Sequence, residues 1–229
     1  MSKETAENAI IEKEWVMFHS VNGETRASCQ DDLAGFRKMR GAQYDVWTEE
    51  LCESFLADLT EAEGQGRNLA REKYIRMMKT TDPAGYAVLQ RELPEVTPAK
   101  MELVNGIWKE LLEQTERMRA EYPLLALGGR PLHASEERPG ETSIETYQKG
   151  ELMTYSPKTL RLLLGLIRDM KQKGQDYAFV VQENTVLAAG YPSMKAAEEQ
   201  MLAREKQRKE AEVEAILQAN TGFCPNCMG

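Results

Sequence analysis

The chain has 229 residues, of which 41% are hydrophobic and 29% are charged. This composition excludes a disordered polymer and is sufficient for one sizeable core or two small ones. Lysine and arginine total 29 against 37 aspartates and glutamates, which gives a net charge of -8 at neutral pH. Because an acidic chain does not gain affinity by neutralising phosphates, this balance argues against a nucleic-acid-binding protein.

The N-terminal segment predicts neither a secretion signal nor a membrane anchor. Charged side chains interrupt the apolar positions of MSKETAENAIIEKEWVMF. The longest later apolar stretch, 162–167, is far shorter than the roughly 20 residues that a membrane-spanning helix needs. Four cysteines are too few for a disulfide scaffold. We therefore expect a cytoplasmic protein whose thiols stay reduced or bind a metal.

Apolar residues recur at helical spacing in four stretches of the chain. These stretches are 10–18, 51–59, 101–112 and 160–167. Helix start signals lie close by, where a Ser, Thr or Asp is followed by proline or by two acidic residues. The predicted N-caps are Thr48, Asp82, Thr97 and Ser156. Periodicity and caps together predict a helical chain.

Two further segments depart from the helical pattern in composition. Segment 177–181, YAFVV, has the composition of a strand, but no turn signal for a hairpin partner follows it, so we predict a helix. Segment 122–142 contains three prolines and three glycines and predicts a long loop. Loops of this length are usually functional or disordered. The predicted fold is therefore all-α, with about nine helices.

Two parts of the chain, 47–69 and 155–177, match when Trp47 is aligned with Tyr155, which indicates an internal repeat. In this repeat register an aromatic residue and a hydroxyl N-cap open each helix, and a glycine ends it. The matched pairs are Trp47 with Tyr155, Thr48 with Ser156, Gly66 with Gly174, Phe36 with Ile144, Met39 with Tyr147, Gln43 with Glu151 and, after a three-residue insertion, Glu72 with Glu183 and Asp82 with Ser193. Helical bundles share stripes and caps, so chance similarity is the alternative to a duplication.

The predicted repeat divides the chain into half-repeats at about 9–93 and 105–204. We expect the halves to pack as one helical domain, 1–219, followed by a C-terminal tail, 220–229. Each half has a tryptophan-bearing helix and then a polar loop that opens with one of the two histidines, His19 or His133. Since duplicated helical units commonly pack about a pseudo-twofold axis, we expect the two loops to form one polar site.

The first loop predicts a nucleophile at Cys29. His19 lies upstream of it, and an imidazole lowers the pKa of a nearby thiol or takes its proton. Gln30, Asp31 and Asp32 follow, and we predict that they bind a ligand beside the start of the next helix. The alternative is that SCQDD only caps this helix around a small buried cysteine.

The second loop predicts an anion site. Arg130 would bind a phosphate or carboxylate, and His133 would act as a general acid or base. Ser135 and Glu136 complete the predicted ligand-binding residues. The alternative is structural, with Arg130 in a salt bridge and His133 in a loop hydrogen bond.

The two loops together also offer metal ligands. Both histidines with Asp31, Asp32 or Glu136 would suit iron, manganese or zinc. Against this hypothesis, neither a Glu-x-x-His nor a His-x-x-x-His spacing occurs in the chain.

The C-terminal sequence FCPNCMG contains Cys224 and Cys227 at a spacing typical of a zinc knuckle. Two thiolates supply only half of a zinc site. The other ligands would come from Cys29, Cys52, a histidine or the tail of a second subunit, which would make a homodimer. The alternatives are a redox-active dithiol and a terminus without a role.

Six segments of the chain carry a resemblance to a bacterial family. They are EKEWVMFHSVN, RASCQDD, EGQGRNLAREKYIRMM, RPLHASE, ETSIETYQKGELMTYS and ENTV with the following GYPS, and they span about 10–203. The chain resembles an uncharacterised domain-of-unknown-function family that is sometimes joined to, or encoded beside, a nucleotidyltransferase-like domain. The resemblance implies such a partner but no activity, and it leaves out the C-terminal tail.

Two functions follow as hypotheses. The first is a cytoplasmic enzyme or small-molecule-binding protein, with a polar site between the two helical halves. That site would be lined by His19, Cys29, Asp31, Arg130, His133 and Glu136. The second is a helical protein-interaction module whose C-terminal knuckle holds zinc. A pocket with convergent polar groups would favour the first, and an exposed apolar patch would favour the second.

Overall fold

The computed structural model describes residues 1–21, 28–127, 130–138 and 140–221, which form helices and loops without a β-strand. The α-helices are α1 (Lys3–His19), α2 (Leu33–Tyr44), α3 (Glu49–Gly64), α4 (Leu69–Thr81), α5 (Pro83–Leu89), α6 (Pro98–Glu121), α7 (Pro123–Leu127), α8 (Ile144–Leu152), α9 (Pro157–Gln172), α10 (Tyr177–Ala188) and α11 (Met194–Thr221). Short 3-10 helices lie at Ser28–Asp31, Gln90–Glu92 and Ala134–Glu136. The prediction of an all-α fold is confirmed for these residues.

The number of helices differs from the prediction, because the described ranges contain eleven α-helices rather than about nine. Two of them are short, with seven residues in α5 and five in α7. Each follows the preceding helix after a single residue, Asp82 or Tyr122, and begins with a proline, which suits a first helical turn. Helices of one or two turns carry no repeating apolar stripe, so periodicity does not reveal them. Segment 177–181 is helical within α10, as predicted.

The predicted helix boundaries are confirmed by their hydrogen bonds. Each predicted N-cap side chain accepts a hydrogen bond from the backbone N–H three residues later, at 3.0–3.3 Å. Helices α3 and α9 end next to Gly66 and Gly174, whose φ angles are 69° and 73°. Only glycine adopts this left-handed conformation without strain, so both glycines define where their helices end.

The centre of the core is a cluster of aromatic side chains from the first and second parts of the chain. Trp47 and Tyr155 are each 1% exposed, and their ring centroids are 6.3 Å apart. Phe55 lies 4.6 Å from the ring of Tyr155, and the indole N–H of Trp47 donates to the hydroxyl of Tyr177 at 2.8 Å. Each buried aromatic side chain removes a large apolar area from water, so this cluster stabilises the contact between the two parts of the chain.

Helices from the first and second parts of the chain pack against each other. Within each part, α1 packs on α3, and α6 packs on α9. Between the parts, α2 packs on α10, α4 packs on α8, and α3 packs on α9. These crossings bring side chains of α1, α2, α4 and α8 to one place, where the candidate site lies.

Most side chains in the later turns of helix α11 are exposed. It packs on α7 and α10, and Leu202, Val213 and Ile216 along its later turns are 50–61% exposed. Among the described helices, we find none that combines the length and the apolar character needed to cross a membrane.

Two glycines of the α9 region should respond in opposite directions to alanine. Gly174→Ala places a side chain at a φ of 73°, which should lower the free energy of unfolding by about 1 kcal/mol. Gly165→Ala lies within the same helix, where an added Cβ meets no atom, and it should raise that free energy by about 0.5 kcal/mol. Urea unfolding of both variants measures the difference, and equal effects would contradict the assigned end of α9.

Candidate functional site

A network of buried charges joins α1, α2 and α8. Arg40 donates from Nε to Glu14 Oε2 at 2.9 Å and from Nη1 to Glu151 Oε1 at 3.0 Å. The third guanidinium nitrogen, Nη2, donates to Glu14 Oε1. The three side chains are only 9–14% exposed. One arginine of α2 therefore holds a carboxylate on either side of it.

Lys73 of α4 extends the same network. Its Nζ donates to Glu151 Oε2 at 2.6 Å and lies 3.4 Å from the ring centroid of Tyr147. The hydroxyl of Tyr155 donates to Glu151 Oε1 at 2.9 Å, and the hydroxyl of Tyr44 donates to Glu14. Glu151 thus accepts from an arginine, a lysine and a tyrosine that belong to different segments of the chain.

The electrostatics of the network keep its members charged. Burial alone would raise the pKa of Glu151, but the positive charges of Arg40 and Lys73 outweigh burial and hold that pKa well below its usual range. Burial also opposes the charge on Lys73, yet Glu151 and Tyr147 leave the pKa of Lys73 above its ordinary value. Lys73 is therefore an ammonium at neutral pH and does not act as a neutral nucleophile.

The network forms one side of a cavity of about 310 Å³. We call this space the charged cavity, and its polar lining residues are Glu14, Cys29, Asp32, Arg40, Lys73, Arg130, Glu151 and Thr154. Its apolar wall comes from Met17, Phe18, Phe36, Met39, Phe55, Leu59, Leu69 and Ala70. A concave, mostly apolar space with a few convergent polar groups is typical of a small-molecule site.

Three residues that the sequence singled out line the charged cavity. Cys29 is exposed and lies in the 3-10 helix Ser28–Asp31. Asp32 caps α2 by accepting from the N–H of Gly35 at 2.8 Å, so the capping interpretation of this aspartate is correct. Arg130 donates to the carbonyl of Thr142 at 3.2 Å. The structure therefore brings one residue of the second predicted loop to two residues of the first.

His19 and Gln30 lie beside the charged cavity but do not line it. His19 Nδ1 donates to the carbonyl of Gln30 at 2.8 Å, and its ring centroid is 5.4 Å from that of Trp15. The buried amide of Gln30 donates to the carbonyls of Phe18 and Val21 at 3.1 and 2.8 Å. In these contacts, both side chains fasten the end of α1 to the following 3-10 helix.

The remaining predicted residues of the second loop also make local contacts. Glu136 accepts from the backbone N–H groups of Leu132 and His133 at 3.0 Å each. His133 Nδ1 lies 3.9 Å from Glu145, which is beyond hydrogen-bond distance. Ser135 is exposed, as is Asp31 in the first loop.

The predicted metal ligands have two outcomes. Among the residues that the structure describes, no group of three or more histidine, cysteine, aspartate or glutamate side chains could hold a metal ion. Cys224 and Cys227 lie outside the described residues. Cys52 is a buried thiol whose pKa burial raises to about 11, which removes it as a reactive group at neutral pH.

Sequence reasoning missed the charged network, although one signal was present. Glu14 occupies a position of the apolar stripe 10–18, where a charged side chain would be buried. In the sequence, Glu151 stands out only as the repeat partner of Gln43. Arg40 and Lys73 lie in helices whose outer faces also carry lysine and arginine, so their burial cannot be read from the chain alone.

Loss of the Glu151 charge should destabilise the protein in a pH-dependent way. Glu151→Gln leaves buried Lys73 without its carboxylate and should lower the free energy of unfolding by about 3 kcal/mol at pH 7. The pKa of Glu151 is lower in the folded chain than in the unfolded chain, where it is about 4.3. The Glu151 carboxylate therefore contributes fully to the free energy of unfolding above that pH, and this contribution is lost progressively as the pH falls toward the folded-state pKa. The difference from wild type should therefore narrow toward pH 2.

Chemical unfolding at several pH values measures this difference. Glu113→Gln is the control, because Glu113 pairs with Lys171 on the surface and is 44% exposed. That variant should unfold as the wild type does. A pH-independent loss of stability in Glu151→Gln would contradict the electrostatic explanation.

Comparison with known proteins gives one match. A family model described as a protein of unknown function, DUF4125, matches residues 4–199. Neither a curated protein nor a solved structure matches the chain. The matched segment includes every residue that lines the charged cavity. Because the family model covers most of the chain, this protein belongs to the DUF4125 family.

Proposed function

We propose that this protein binds a small molecule in the charged cavity. The observation that carries the proposal is the opening of two carboxylates and two cations of a buried network into a space of about 310 Å³. Cys29, Asp32 and Arg130 line the same space. The site takes residues from both predicted halves of the chain.

The energetic cost of the network supports a functional role for it. Replacing a buried ion network by apolar side chains of similar size is often neutral or stabilising, so stability alone does not require these charges. A ligand that contacts them would explain their presence. The wall chemistry suits a molecule with an apolar body and a polar end group, because Lys73 has three N–H donors, of which Glu151 accepts one while the ring of Tyr147 lies against the ammonium.

We also propose a duplication within the chain, which would put this site between two related halves. The N-caps Thr48 and Ser156 correspond in the repeat register, and each accepts a backbone N–H at 3.2 Å. The glycines Gly66 and Gly174 also correspond, and their φ angles are 69° and 73°. Trp47 meets its predicted counterpart Tyr155 in the core.

The crossings between the halves support the same relation. Helix α2 meets α10 at Ala42, whose carbonyl accepts from Asn184 at 3.2 Å. Helix α8 meets α4 at Gly150, where an added Cβ would lie 3.4 Å from the carbonyl oxygen of Lys73. Ala42 and Gly150 also correspond in the repeat register, so two small residues in matching positions make reciprocal contacts. A pseudo-twofold axis between the halves would relate the two contacts in this way.

An enzymatic use of the cavity would rest on Cys29. It is the exposed cysteine of the described residues, and it lines the charged cavity. His19 contacts the residue that follows Cys29 through the carbonyl of Gln30. We therefore infer that Cys29 would be the nucleophile, with His19 as the candidate base on the neighbouring end of α1. His133 remains a less direct candidate because its described contacts are with α8.

The alternative function is a helical interaction module with a zinc-binding tail. The observation that favours it is the exposed side of α11, where Leu202, Val213 and Ile216 are 50–61% exposed. Cys224 and Cys227 follow that helix in the sequence. A zinc ion shared by two such tails would join two copies of the chain.

Filling the charged cavity should abolish ligand binding. Ala70→Phe adds a ring to the cavity wall, whereas Ala57→Phe adds the same ring to the exposed side of α3. In a thermal-shift screen of a metabolite library, at least one compound should raise Tm by about 3 °C at a tenfold excess over its Kd. It should do so for wild type and Ala57→Phe but not for Ala70→Phe.

The same compound should slow alkylation of Cys29 by N-ethylmaleimide, followed by peptide mass spectrometry. Cys29 provides the local readout because it lines the cavity and is exposed. A compound that shifts Tm but leaves the Cys29 rate unchanged binds elsewhere. If no compound protects Cys29, the charged cavity is not the binding site.

Metal analysis tests the alternative function. If the knuckle is occupied, the purified full-length protein should hold one zinc per chain, or one zinc per two chains where two tails share the ion. The double variant Cys224→Ser with Cys227→Ser should lose this zinc. Cys52→Ser is the control, since Cys52 is buried in the helical core. A metal-free wild-type chain that is correctly folded would exclude the zinc knuckle.

A further inference from the structure

A second cavity of about 400 Å³ lies beside the charged cavity and has different chemistry. We call it the amide cavity, because Gln148 of α8 and Gln182 of α10 line it together with the aromatic side chains of Trp108, Tyr147 and Tyr177. Arg130, Tyr147 and Tyr155 line both cavities. The two spaces are therefore neighbours that share one wall.

The charge of the amide cavity comes from Arg130. Among its described lining residues there is no aspartate, glutamate or lysine. The guanidinium of Arg130 makes one hydrogen bond to a described residue, the carbonyl of Thr142, and lies 5.5 Å from the ring centroid of Tyr147. Its other N–H groups can donate to a carboxylate or a phosphate in the fork geometry that arginine favours.

Several hydrogen-bonding groups of the amide cavity have no partner in the described part of the chain. They are the indole N–H of Trp108 and the side-chain amides of Gln148 and Gln182. Trp108 is 6% exposed as a whole residue, and Gln148 and Gln182 are half-buried. Donors that no described residue satisfies are open to water in the cavity or to the acceptor atoms of a ligand that replaces this water. Gln43 differs, because its amide oxygen already accepts from Arg40 at 3.1 Å.

The walls restrict the shape of such a ligand. Trp108, Tyr147 and Tyr177 present aromatic rings, and a planar ring gains more from them than an aliphatic group does. We propose that the amide cavity binds a planar heteroaromatic anion, whose acceptor atoms contact Trp108, Gln148 and Gln182 and whose acidic group contacts Arg130. This site is separate from the one in the charged cavity and does not depend on it.

Binding of two planar anions tests the proposal. Kynurenate carries a carboxylate, and 4-methylumbelliferyl phosphate carries a phosphate ester on a ring system with a carbonyl acceptor. At least one of them should bind the full-length chain with a Kd below about 1 mM by calorimetry or ligand-observed NMR. The one that binds identifies the acidic group. Uncharged 7-methoxy-4-methylcoumarin and aliphatic cyclohexanecarboxylate should bind at least fivefold more weakly.

Three variants localise the site. Gln148→Leu and Gln182→Leu each remove an amide while keeping side-chain bulk, Trp108→Phe removes the indole N–H with part of the ring, and each should weaken binding about fivefold. The Tm of the two leucine variants should stay within about 2 °C of wild type or rise, because an unpaired polar group is lost. Trp108→Phe shortens a core side chain and should lower Tm. Gln172→Leu on the exposed end of α9 is the matched control and should bind as the wild type does.

Two results would overturn the proposal. One is the absence of binding by both anions at about 5 mM, which is above the expected Kd. The other is binding that Gln148→Leu and Trp108→Phe leave unchanged. Protection of Cys29 from alkylation separates the two sites, because Cys29 lines the charged cavity and not the amide cavity. A probe that binds without protecting Cys29 supports the amide cavity, whatever the outcome for the charged one.

Discussion

The carboxylate of Glu151 is the point at which three segments of this fold are tied together. It accepts from Arg40 of α2, from Lys73 of α4 and from Tyr155 at the start of the α9 segment. Each of these bonds is largely removed from water, so none can be exchanged for a hydrated alternative without cost. The position of α8 relative to α2 and α4 follows from this carboxylate, and so does the wall between the two cavities.

The proposed duplication would make the two cavities related sites with different chemistry. In the repeat register, Arg40 corresponds to Gln148, and Gln43 corresponds to Glu151. Under the proposed duplication, the charged groups Arg40 and Glu151 of the charged cavity therefore have amide side chains as their counterparts in the amide cavity. The charged cavity keeps its ions paired internally, whereas the amide cavity has one cation and several unpaired donors among its described lining residues. The two proposals therefore name different ligands for the two cavities.

The candidate site could be predicted only in part. The sequence pointed to the loop around Cys29 and Asp32 and to Arg130, and these three residues do line one cavity. It also placed His19 and His133 in that site, whereas their described contacts are with Gln30 and near Glu145. Histidines that open matching loops were a reasonable guide to the location. The identity of the lining groups depended on which way helices α4 and α8 face.

Local physical chemistry determined the helices themselves. A hydroxyl or carboxylate before proline, and a glycine at the end of a stripe, act within one turn, so Thr97, Ser156 and Gly174 could be read directly. The burial of Arg40 and Lys73 was decided only by the tertiary structure. A charged side chain on a helix is exposed or buried according to which helix packs over it, and residues that lie more than 70 positions away along the chain supply that cover here.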